Sequence, residues 1–274
     1  MRIDYDPVLL DELHDLAIAS AREAGATALQ GRREGVTVAA TKSTPTDVVT
    51  EMDRRTESEL VGRILAARPD DGILGEEGAD HVGSSGVRWV LDPIDGTVNY
   101  LYDLPSWAVS VAAEIDGVVV VGVVVAPALG ETYVAVRGRG ARLHDETGVR
   151  TLRVNDPVPL DRALVATGFG YSVERRTGQA RVAREVIPAV RDIRRGGACS
   201  VDLCHLAAGR LDGYYERGPQ AWDLAAGGLV AHEAGARIEG LRGAPPGPEL
   251  TIAAGPSLFR ALHDLLEPLD ADQD

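Results

Sequence analysis

The first seventy residues carry apolar positions at helical spacing. From Pro7 to about Gln30, leucines and alanines recur every three or four residues, which predicts an amphipathic helix packed on a core. A second helix is expected to begin at a cap formed by Thr50 or Asp53 and to run to about Arg68. A Pro-Asp-Asp-Gly turn follows and ends the helical pattern.

The segment from Trp107 to Arg137 has the pattern of β-strands. Three runs rich in valine and alanine follow one another, and Asp116-Gly117 between the first two predicts a hairpin turn. The most apolar run, Val118 to Ala126, is too short to span a bilayer as a helix, so we expect a buried strand. This part of the chain therefore predicts an antiparallel sheet.

Beyond residue 156 the pattern alternates between strands and helices. The predicted strands lie near Ala163 to Ala166, Leu211 to Tyr215, Arg237 and Leu250, and the predicted helices run from about Arg175 to Pro188, Ser200 to Ala208, Trp222 to Glu233 and Pro256 to Leu266. The weakest break lies near Asn155 to Pro159. Residues 1–274 are therefore expected to form a single domain, with an antiparallel half at 1–155 and an alternating half at 156–274.

Composition places the chain among globular proteins. Its 274 residues, 45% of them hydrophobic, suffice for one large domain or two intimate halves. The net charge of −14 argues against nucleic acid or an anionic membrane as the main partner. An acidic protein that handles an anionic substrate needs local cations, which metal ions or the arginine-rich stretch from Arg175 to Arg195 would supply.

The cysteines and the first residues bear on the compartment. Cys199 and Cys204 are spaced too widely for a C-x-x-C redox pair, and the sequence has no second pair for a zinc site, so we expect buried free thiols. The beginning M-R-I-D-Y-D-P lacks the basic and apolar regions of a secretory signal. The protein is therefore expected in the reducing cytoplasm.

The run W-V-L-D-P-I-D-G-T at residues 89–97 carries the main candidate chemistry. It delivers Asp92 and Asp95 out of an apolar strand into a turn, and two carboxylates so placed suit a pair of Mg²⁺ ions. Pro93 biases the preceding residue toward extended backbone, while Gly96 lets the chain turn sharply and present amide N–H groups. A single acidic residue is usually solvated, but an apolar strand running straight into these two favours a metal site.

Two further acidic positions are expected to converge with this motif. Glu76 and Glu77 end a short strand, and Asp223 stands beside Trp222 at the start of a predicted helix. Carboxylates at the ends of elements point into clefts. Asp223 taken on its own is interpreted as a simple helix cap.

Other catalytic classes find little support in the sequence. The six histidines are scattered without metal-ligand spacing. The serines Ser110, Ser172 and Ser200 lack the G-x-S-x-G elbow of a covalent hydrolase. No G-K-S or G-K-T follows the glycine-rich pieces, so they do not form a Walker loop.

Three motifs in this order resemble the signature of the inositol monophosphatase family, within the lithium-sensitive Mg²⁺-dependent phosphatase superfamily. They are G-E-E at 75–77, D-P-I-D-G-T at 92–97 and W-D-L-A-A-G at 222–227. The likeness extends from T-K-S-T-P-T-D-V-V-T-E-M-D at 41–53 to L-D-G-Y-Y-E at 211–216. It implies an α+β fold, the layered αβαβα sandwich of the inositol monophosphatase and fructose-1,6-bisphosphatase type, whose two halves share a cleft.

The resemblance also implies a role for each matching position. The ligands of two or three Mg²⁺ ions would be Glu76, Asp92, the carbonyl of Ile94, Asp95 and Asp223. Asp53 and Thr97 match the pair that orients and helps deprotonate the attacking water, and Glu76 joins them as a catalytic residue on the nucleophile side. The expected substrate contacts are Asp95, Gly96, Thr97, Cys199 and Glu216. Lys42 matches a basic position of the family, although a solvated lysine is an equally fair interpretation.

The leading hypothesis is therefore Mg²⁺-dependent hydrolysis of myo-inositol monophosphate to inositol and phosphate, by a lithium-sensitive homodimer. Sister phosphatases that share the metal core act on histidinol phosphate, fructose 1,6-bisphosphate or a 3′-phosphonucleotide, and these substrates remain alternatives. A hypothesis of another class makes the chain mainly a binding or regulatory protein, such as a transcription-associated partner, with weak phosphatase activity.

Overall fold

Two long helices with small buried residues form the first layer of the molecule. The computed structural model describes residues 5–42, 44 and 48–273. Helix α1 spans Pro7–Glu34 and helix α2 spans Glu51–Ala67. Helix α1 continues past its predicted end at Gln30, whose side chain donates a hydrogen bond of 2.7 Å to Glu34 across the last turn. Of the two predicted caps of α2, Thr50 is the one that forms.

A small antiparallel pair of strands lies between these helices in the sequence. Strand β1 spans Val38–Thr41 and pairs with β2, Val48–Thr50. The sequence did not predict this pair because its short, threonine-rich runs lack a clear period of two. Residues 43 and 45–47 of the motif at 41–53 lie outside the described residues.

The larger sheet has eight strands. They are β3 (Gly72–Gly75), β4 (Asp80–His81), β5 (Val87–Asp95), β6 (Ala108–Ile115), β7 (Val118–Ala126), β8 (Glu131–Val136), β9 (Ala141–Asp145) and β10 (Gly148–Thr151). Their order is β10-β9-β8-β7-β6-β5-β3-β4, and every neighbouring pair is antiparallel except β3 with β5. Asp116 and Gly117 join β6 to β7 with φ values of 51° and 77°, which confirms the predicted hairpin turn.

The second sheet has five strands and lies among the remaining helices. Its strands are β11 (Leu164–Thr167), β12 (Asp192–Arg194), β13 (Gly213–Glu216), β14 (Arg237–Glu239) and β15 (Thr251–Ala254), in the order β12-β11-β13-β15-β14. The helices are α3 (Thr97–Leu101), α4 (Val173–Val186), α5 (Cys199–Ala207), α6 (Ala221–Glu233) and α7 (Pro256–Leu266). Each predicted helix of the second half is present, and α7 has the predicted bounds.

The elements stack in five layers. Helices α1 and α2 cover one face of the large sheet, and α5 and α6 cover the other. Beyond α5 and α6 lies the five-stranded sheet, whose far face packs on α4 and α7. This arrangement confirms the expected αβαβα sandwich. Because β6 and β7 are covered on both faces, their sequences are continuous apolar runs and not alternating ones.

Helix α6 approaches the large sheet most closely at a glycine. A Cβ atom at Gly122 of β7 would lie 2.8 Å from the carbonyl oxygen of Ala226 and 3.0 Å from its Cα. Only glycine lets the two backbones meet at this distance. Helix α6 is thereby held close to β7, in the sheet whose strand β5 carries the acidic motif.

Two further expectations concern the cysteines and the membrane. Cys199 and Cys204 are both free and buried, as predicted. Within residues 5–42, 44 and 48–273, no helix combines the length and the apolar character needed to cross a membrane.

Candidate active site

The end of strand β5 carries the two aspartates of the central motif. Asp92 is 1% exposed and Asp95 is 7% exposed, so an apolar strand does deliver both into the interior. In a regular strand, residues three apart would point to opposite faces. The pairing of β5 with β6 is irregular between Asp92 and Asp95, where three steps on β5 face two on β6. This bulge turns the second carboxylate toward the first.

Helix α6 brings the third carboxylate. Asp223 is the third residue of that helix, and one of its oxygens accepts a hydrogen bond of 2.5 Å from the backbone N–H of Gln220. Asp92, Asp95 and Asp223 each offer one oxygen so that the three atoms lie within 4.8 Å of one another. Asp223 is not the N-cap of α6, which is Gln220, but the N3 residue of its capping box, and it also belongs to this acidic group.

Glu76 lies in the turn after β3, the parallel neighbour of β5. Its backbone N–H donates to the carbonyl of Leu91 at 3.2 Å, which keeps the turn beside the aspartates. The ammonium group of Lys42 contacts Glu76 at 2.8 Å and Glu77 at 2.6 Å. Lys42 is therefore an exposed residue whose ammonium forms ion pairs with the turn.

The pKa values of these acids show that negative charge accumulates here. Burial raises the pKa of Asp92 well above its usual range, and the charges of Glu76, Asp95 and Asp223 raise it further. Burial also raises the pKa values of Asp95, Glu76 and Asp223. Carboxylates that repel one another in a buried site need a cation, and carboxylate oxygens are the ligands that Mg²⁺ prefers. The donor set therefore fits a divalent metal.

Asp53 and Thr97 form the pair that the sequence predicted. The backbone N–H of Thr50 donates to Oδ2 of Asp53 at 2.8 Å, so this oxygen is used in the capping box of α2. The other oxygen lies 3.1 Å from the hydroxyl of Thr97, which is also 3.1 Å from the carbonyl oxygen of Ile94. Burial raises the pKa of Asp53 to about 6. The carboxylate is therefore a proton acceptor close to neutral pH.

Residues at the start of α5, in the second half of the chain, donate hydrogen bonds to Asp95. The backbone N–H groups of Cys199 and Ser200 donate to the two Asp95 oxygens at 3.2 and 2.7 Å, and the Ser200 hydroxyl donates at 2.5 Å. The N–H of Cys199 is thus engaged within the protein. Sequence reasoning considered Ser200 only as a nucleophile and missed this donor role, because the contact joins residues 105 positions apart.

Glu216 ends β13 and faces the same space. The hydroxyl of Tyr214 donates to Glu216 at 2.9 Å and also lies 3.0 Å from the Sγ of Cys199. A side chain at position 168 would collide with the Glu216 carboxylate, so Gly168 leaves the room for it. Burial raises the pKa of Glu216 to about 7.

These groups surround one cleft of about 550 Å³. Its walls include the acids described above, Gly96 and Thr97 at the start of α3, and Trp222. Three arginines also line it, Arg175, Arg195 and Arg217. The first two bound the stretch that the sequence proposed as a source of cations, whereas Arg217 was not predicted.

Comparison with known proteins agrees with the family resemblance found in the sequence. The model of the inositol monophosphatase family matches residues 9–268. The chain is similar to the inositol-1-monophosphatase of Mycobacterium leprae, with 48% identity over 233 residues that cover 82% of this chain and 80% of that protein. It is also similar to the Nus factor SuhB of Pasteurella multocida, with 34% identity over 270 residues, 96% of this chain and 99% of that protein.

Solved structures share the fold. Mycobacterium tuberculosis SuhB matches with a TM-score of 0.83 and 41% identity, over 98% of this chain and 100% of that one. An inositol monophosphatase from Anabaena matches with a TM-score of 0.81 and 28% identity, over 94% and 96% of the two chains.

Proposed function

Because the chain belongs to the inositol monophosphatase family, a family of metal-dependent phosphatases that act on phosphate monoesters, we propose that it hydrolyses myo-inositol monophosphate with Mg²⁺. The observation that carries the proposal is the convergence of Asp92, Asp95 and Asp223 within 4.8 Å at one cleft. The accumulated negative charge of that group calls for divalent cations.

In this proposal two or three Mg²⁺ ions are held by Glu76, Asp92, the Ile94 carbonyl, Asp95 and Asp223. When bound, the ions supply the positive charge and Lewis acidity that a doubly negative ester requires. The Lys42 ammonium forms an ion pair with Glu76, which shows that a positive charge is stabilised beside this carboxylate. The short N–H and O–H contacts from Cys199 and Ser200 keep the Asp95 carboxylate in one orientation.

Thr97 and Asp53 handle the proton of the attacking water. The Thr97 hydroxyl is close enough to Asp53 to pass its proton to that carboxylate while it takes one from the water. Asp53 accepts the proton only when ionised, which its pKa of about 6 permits at neutral pH. The capping box fixes the carboxylate, so no reorientation is needed during the transfer.

The remaining residues of the cleft hold the substrate. The backbone N–H groups of Gly96 and Thr97 contact the phosphate, and Asp95 and Glu216 accept hydrogen bonds from polyol hydroxyls. Cys199 contributes its surface to the same wall, because its N–H is occupied by Asp95 and its Sγ by Tyr214. The placement of Glu216 supports a polyol as substrate, because an ionised carboxylate accepts hydrogen bonds without donating one.

A substrate panel tests the proposal. The purified protein with saturating Mg²⁺ should release phosphate fastest from myo-inositol monophosphate, and more slowly from histidinol phosphate, fructose 1,6-bisphosphate and a 3′-phosphonucleotide. Titration of Li⁺ against Mg²⁺ should inhibit the release. A tenfold preference for histidinol phosphate would overturn the assignment of substrate, and the absence of phosphate release from every ester would overturn the assignment of reaction.

The similarity to proteins named Nus factor SuhB favours a second candidate function. In that case the chain is mainly a binding partner of the transcription machinery, and its hydrolysis is weak. Affinity capture of a stable protein partner, together with no turnover in saturating Mg²⁺, would support this candidate over the first.

We also infer that the protein works as a cytoplasmic homodimer. The two buried free thiols suit a reducing compartment. Light scattering should give twice the mass of one chain, whereas a single-chain mass at micromolar concentration would contradict the dimer.

A further inference from the structure

Helix α2 carries a second buried acid one turn after Asp53. Glu57 is 6% exposed, and it does not belong to the walls of the cleft. Its two oxygens accept hydrogen bonds from the backbone N–H groups of Glu77, at 2.9 Å, and Ala79, at 3.1 Å. A buried carboxylate is costly unless it is hydrogen-bonded, and these two charge-assisted bonds offset that cost.

The turn that Glu57 supports is the one that holds Glu76. Backbone bonds close the base of this turn, where Gly75 donates to Ala79 at 2.7 Å and Glu76 donates to Leu91 at 3.2 Å. The N–H groups of Glu77 and Ala79 point away from the cleft, toward α2. Glu57 therefore supplies the acceptors that fix the far side of the turn.

The sequence leaves a space for this carboxylate. A Cβ atom at Gly75 would collide with the nearer oxygen of Glu57 and would also approach the Ala79 side chain at 3.0 Å. Glycine at position 75 is thus required for the contact and not for a left-handed backbone, because Gly75 is not among the residues with positive φ.

Asp53 and Glu57 lie four residues apart, on one face of α2. Asp53 orients Thr97, and Glu57 supports the turn of Glu76, so a single rigid helix sets the position of both. The ammonium of Lys42 also contacts Glu76 and Glu77. Without Glu57, the turn would lose these hydrogen bonds to α2.

We propose that Glu57 is a positioning residue that holds Glu76 in the geometry for binding a divalent cation beside Asp92. This inference rests on the proposed function, in which Glu76 is a metal ligand. It assigns to Glu57 an effect on metal affinity, since the loosened turn must be ordered again whenever the cation binds. Once metal saturates the site, the Glu76 carboxylate is back in place and turnover is restored.

Two variants disturb the contact in different ways. Glu57→Gln offers one acceptor oxygen and turns an N–H₂ group toward the other backbone N–H. Gly75→Ala leaves the Glu57 charge in place but pushes the carboxylate off the turn. The matched controls are Glu59→Gln, an exposed glutamate of the same helix, and Gly62→Ala, where an added Cβ meets no atom within 4 Å.

Calorimetric titration with Mg²⁺ alone is the main measurement, and phosphate release as a function of Mg²⁺ is the second. We expect both test variants to bind Mg²⁺ about tenfold more weakly, at the lower end of the range for residues that orient metal ligands. At saturating Mg²⁺, kcat should stay within about threefold of the wild type and KM for the ester should not change. The controls should bind Mg²⁺ like the wild type.

Mg²⁺ affinity within twofold of the wild type in either folded variant would overturn the inference, as would a kcat loss that saturating Mg²⁺ does not restore. If Glu57→Gln does not fold, Gly75→Ala decides alone, since it retains the glutamate. Failure of the proposed function gives a different result. A wild type that binds Mg²⁺ but releases no phosphate would contradict the phosphatase assignment, while calorimetry would still decide the role of Glu57.

Discussion

Two buried acidic sites of this molecule differ in how their charge is balanced. In the first, the cleft group, Asp92, Asp95 and Asp223 face one another, and their pKa values are raised. In the second, Glu131 of β8 is 8% exposed and accepts hydrogen bonds from Arg210, with one at 2.9 Å, and from the Tyr133 hydroxyl at 2.7 Å.

Burial opposes the ionisation of Glu131 too, but the bonds from Arg210 and Tyr133 outweigh it and hold its pKa below the usual value. In the cleft group, burial and the charges of neighbouring acids instead raise the pKa values of Asp92 and Asp223 well above the usual range. The difference teaches that burial alone does not mark a functional acid, whereas several buried acids whose charges repel one another indicate a place for a cation.

Asp92→Asn should produce the largest effect. It removes a charge at the centre of the cleft group, so kcat should fall by about 1,000-fold, or roughly 4 kcal/mol of barrier. Without metal the variant should melt at a higher temperature than the wild type, because one repelling charge is gone. Phosphate release and thermal melting in EDTA measure the two effects. Retention of more than about a tenth of kcat would place Asp92 outside the reaction.

Asp53→Asn should lower kcat by about 100-fold, in the range of general-base loss. In the wild type, kcat/KM should rise with pH through about 6, because Asp53 must lose its proton before it can accept another. The asparagine variant should lack this limb between pH 5 and 7. If the limb persists unchanged in the variant, another group is the proton acceptor.

Glu131→Gln should change stability and not chemistry. It leaves the Arg210 guanidinium without its charged partner, and the cost should be about 2 kcal/mol because that side chain is 39% exposed. Urea denaturation measures the loss, with the exposed Glu12→Gln as control. The kcat of the folded variant should match the wild type, and a tenfold loss would erase the contrast between the two acidic sites.

A buried acid with a raised pKa and one with a lowered pKa should change the free energy of unfolding with pH in opposite directions. Asp202 of α5 has its pKa raised from 3.8 to about 8, first by burial and then by the charges of Glu216 and Asp95. Its contribution to stability is complete below pH 3.8 and is lost as pH rises through about 8. Glu131, with a lowered pKa, loses its contribution as pH falls.

Asp202→Asn should therefore flatten the fall in unfolding free energy between pH 5 and 8, which one group can make as steep as about 1.4 kcal/mol per pH unit. Glu131→Gln should flatten the acid side of the curve instead. Urea titrations at several pH values in EDTA measure both. Equal slopes for wild type and Asp202→Asn would show that this carboxyl titrates normally.

Glu216→Gln should have the smallest effect on the reaction. It should raise KM for myo-inositol monophosphate three- to tenfold and leave the hydrolysis of p-nitrophenyl phosphate unchanged, because only the polyol needs an acceptor at this wall. Side-by-side assays of both esters give the comparison. Equal loss on both would mean that Glu216 acts on the phosphate or its metal and not on the alcohol.

Of the two acidic sites, only the cleft group could be predicted from the sequence. Asp92 and Asp95 stand in one run with Pro93 and Gly96, so their convergence could be inferred from local geometry. Glu131 and Arg210 are 79 residues apart and carry no motif, and their pairing depends on where the turn after α5 lies relative to β8. The role of Glu57 was not predicted either, because its partners are backbone N–H groups that no sequence motif identifies.

The fold shows the same limit. Long periodic segments such as α1, α7 and the β6–β7 hairpin could be predicted because their apolar residues report burial directly. Strands β9 and β10 were not predicted, since β10 is exposed along its length and is held by backbone pairing with β9. The expected division at residues 155 and 156, and the roles given to Asp53, Thr97 and the substrate contacts, stay predictions.

The contact of Gly122 with Ala226 has one more consequence. Where side chains separate two layers, a change of rotamer can alter their spacing, but here main chain touches main chain and no torsion is available to adjust the gap. The separation of Asp223 from the β5 aspartates is consequently a fixed dimension of the framework. This distance would then determine which ionic radius the site prefers. Gly122→Ala should widen the distance and shift the preference from Mg²⁺ toward the larger Ca²⁺.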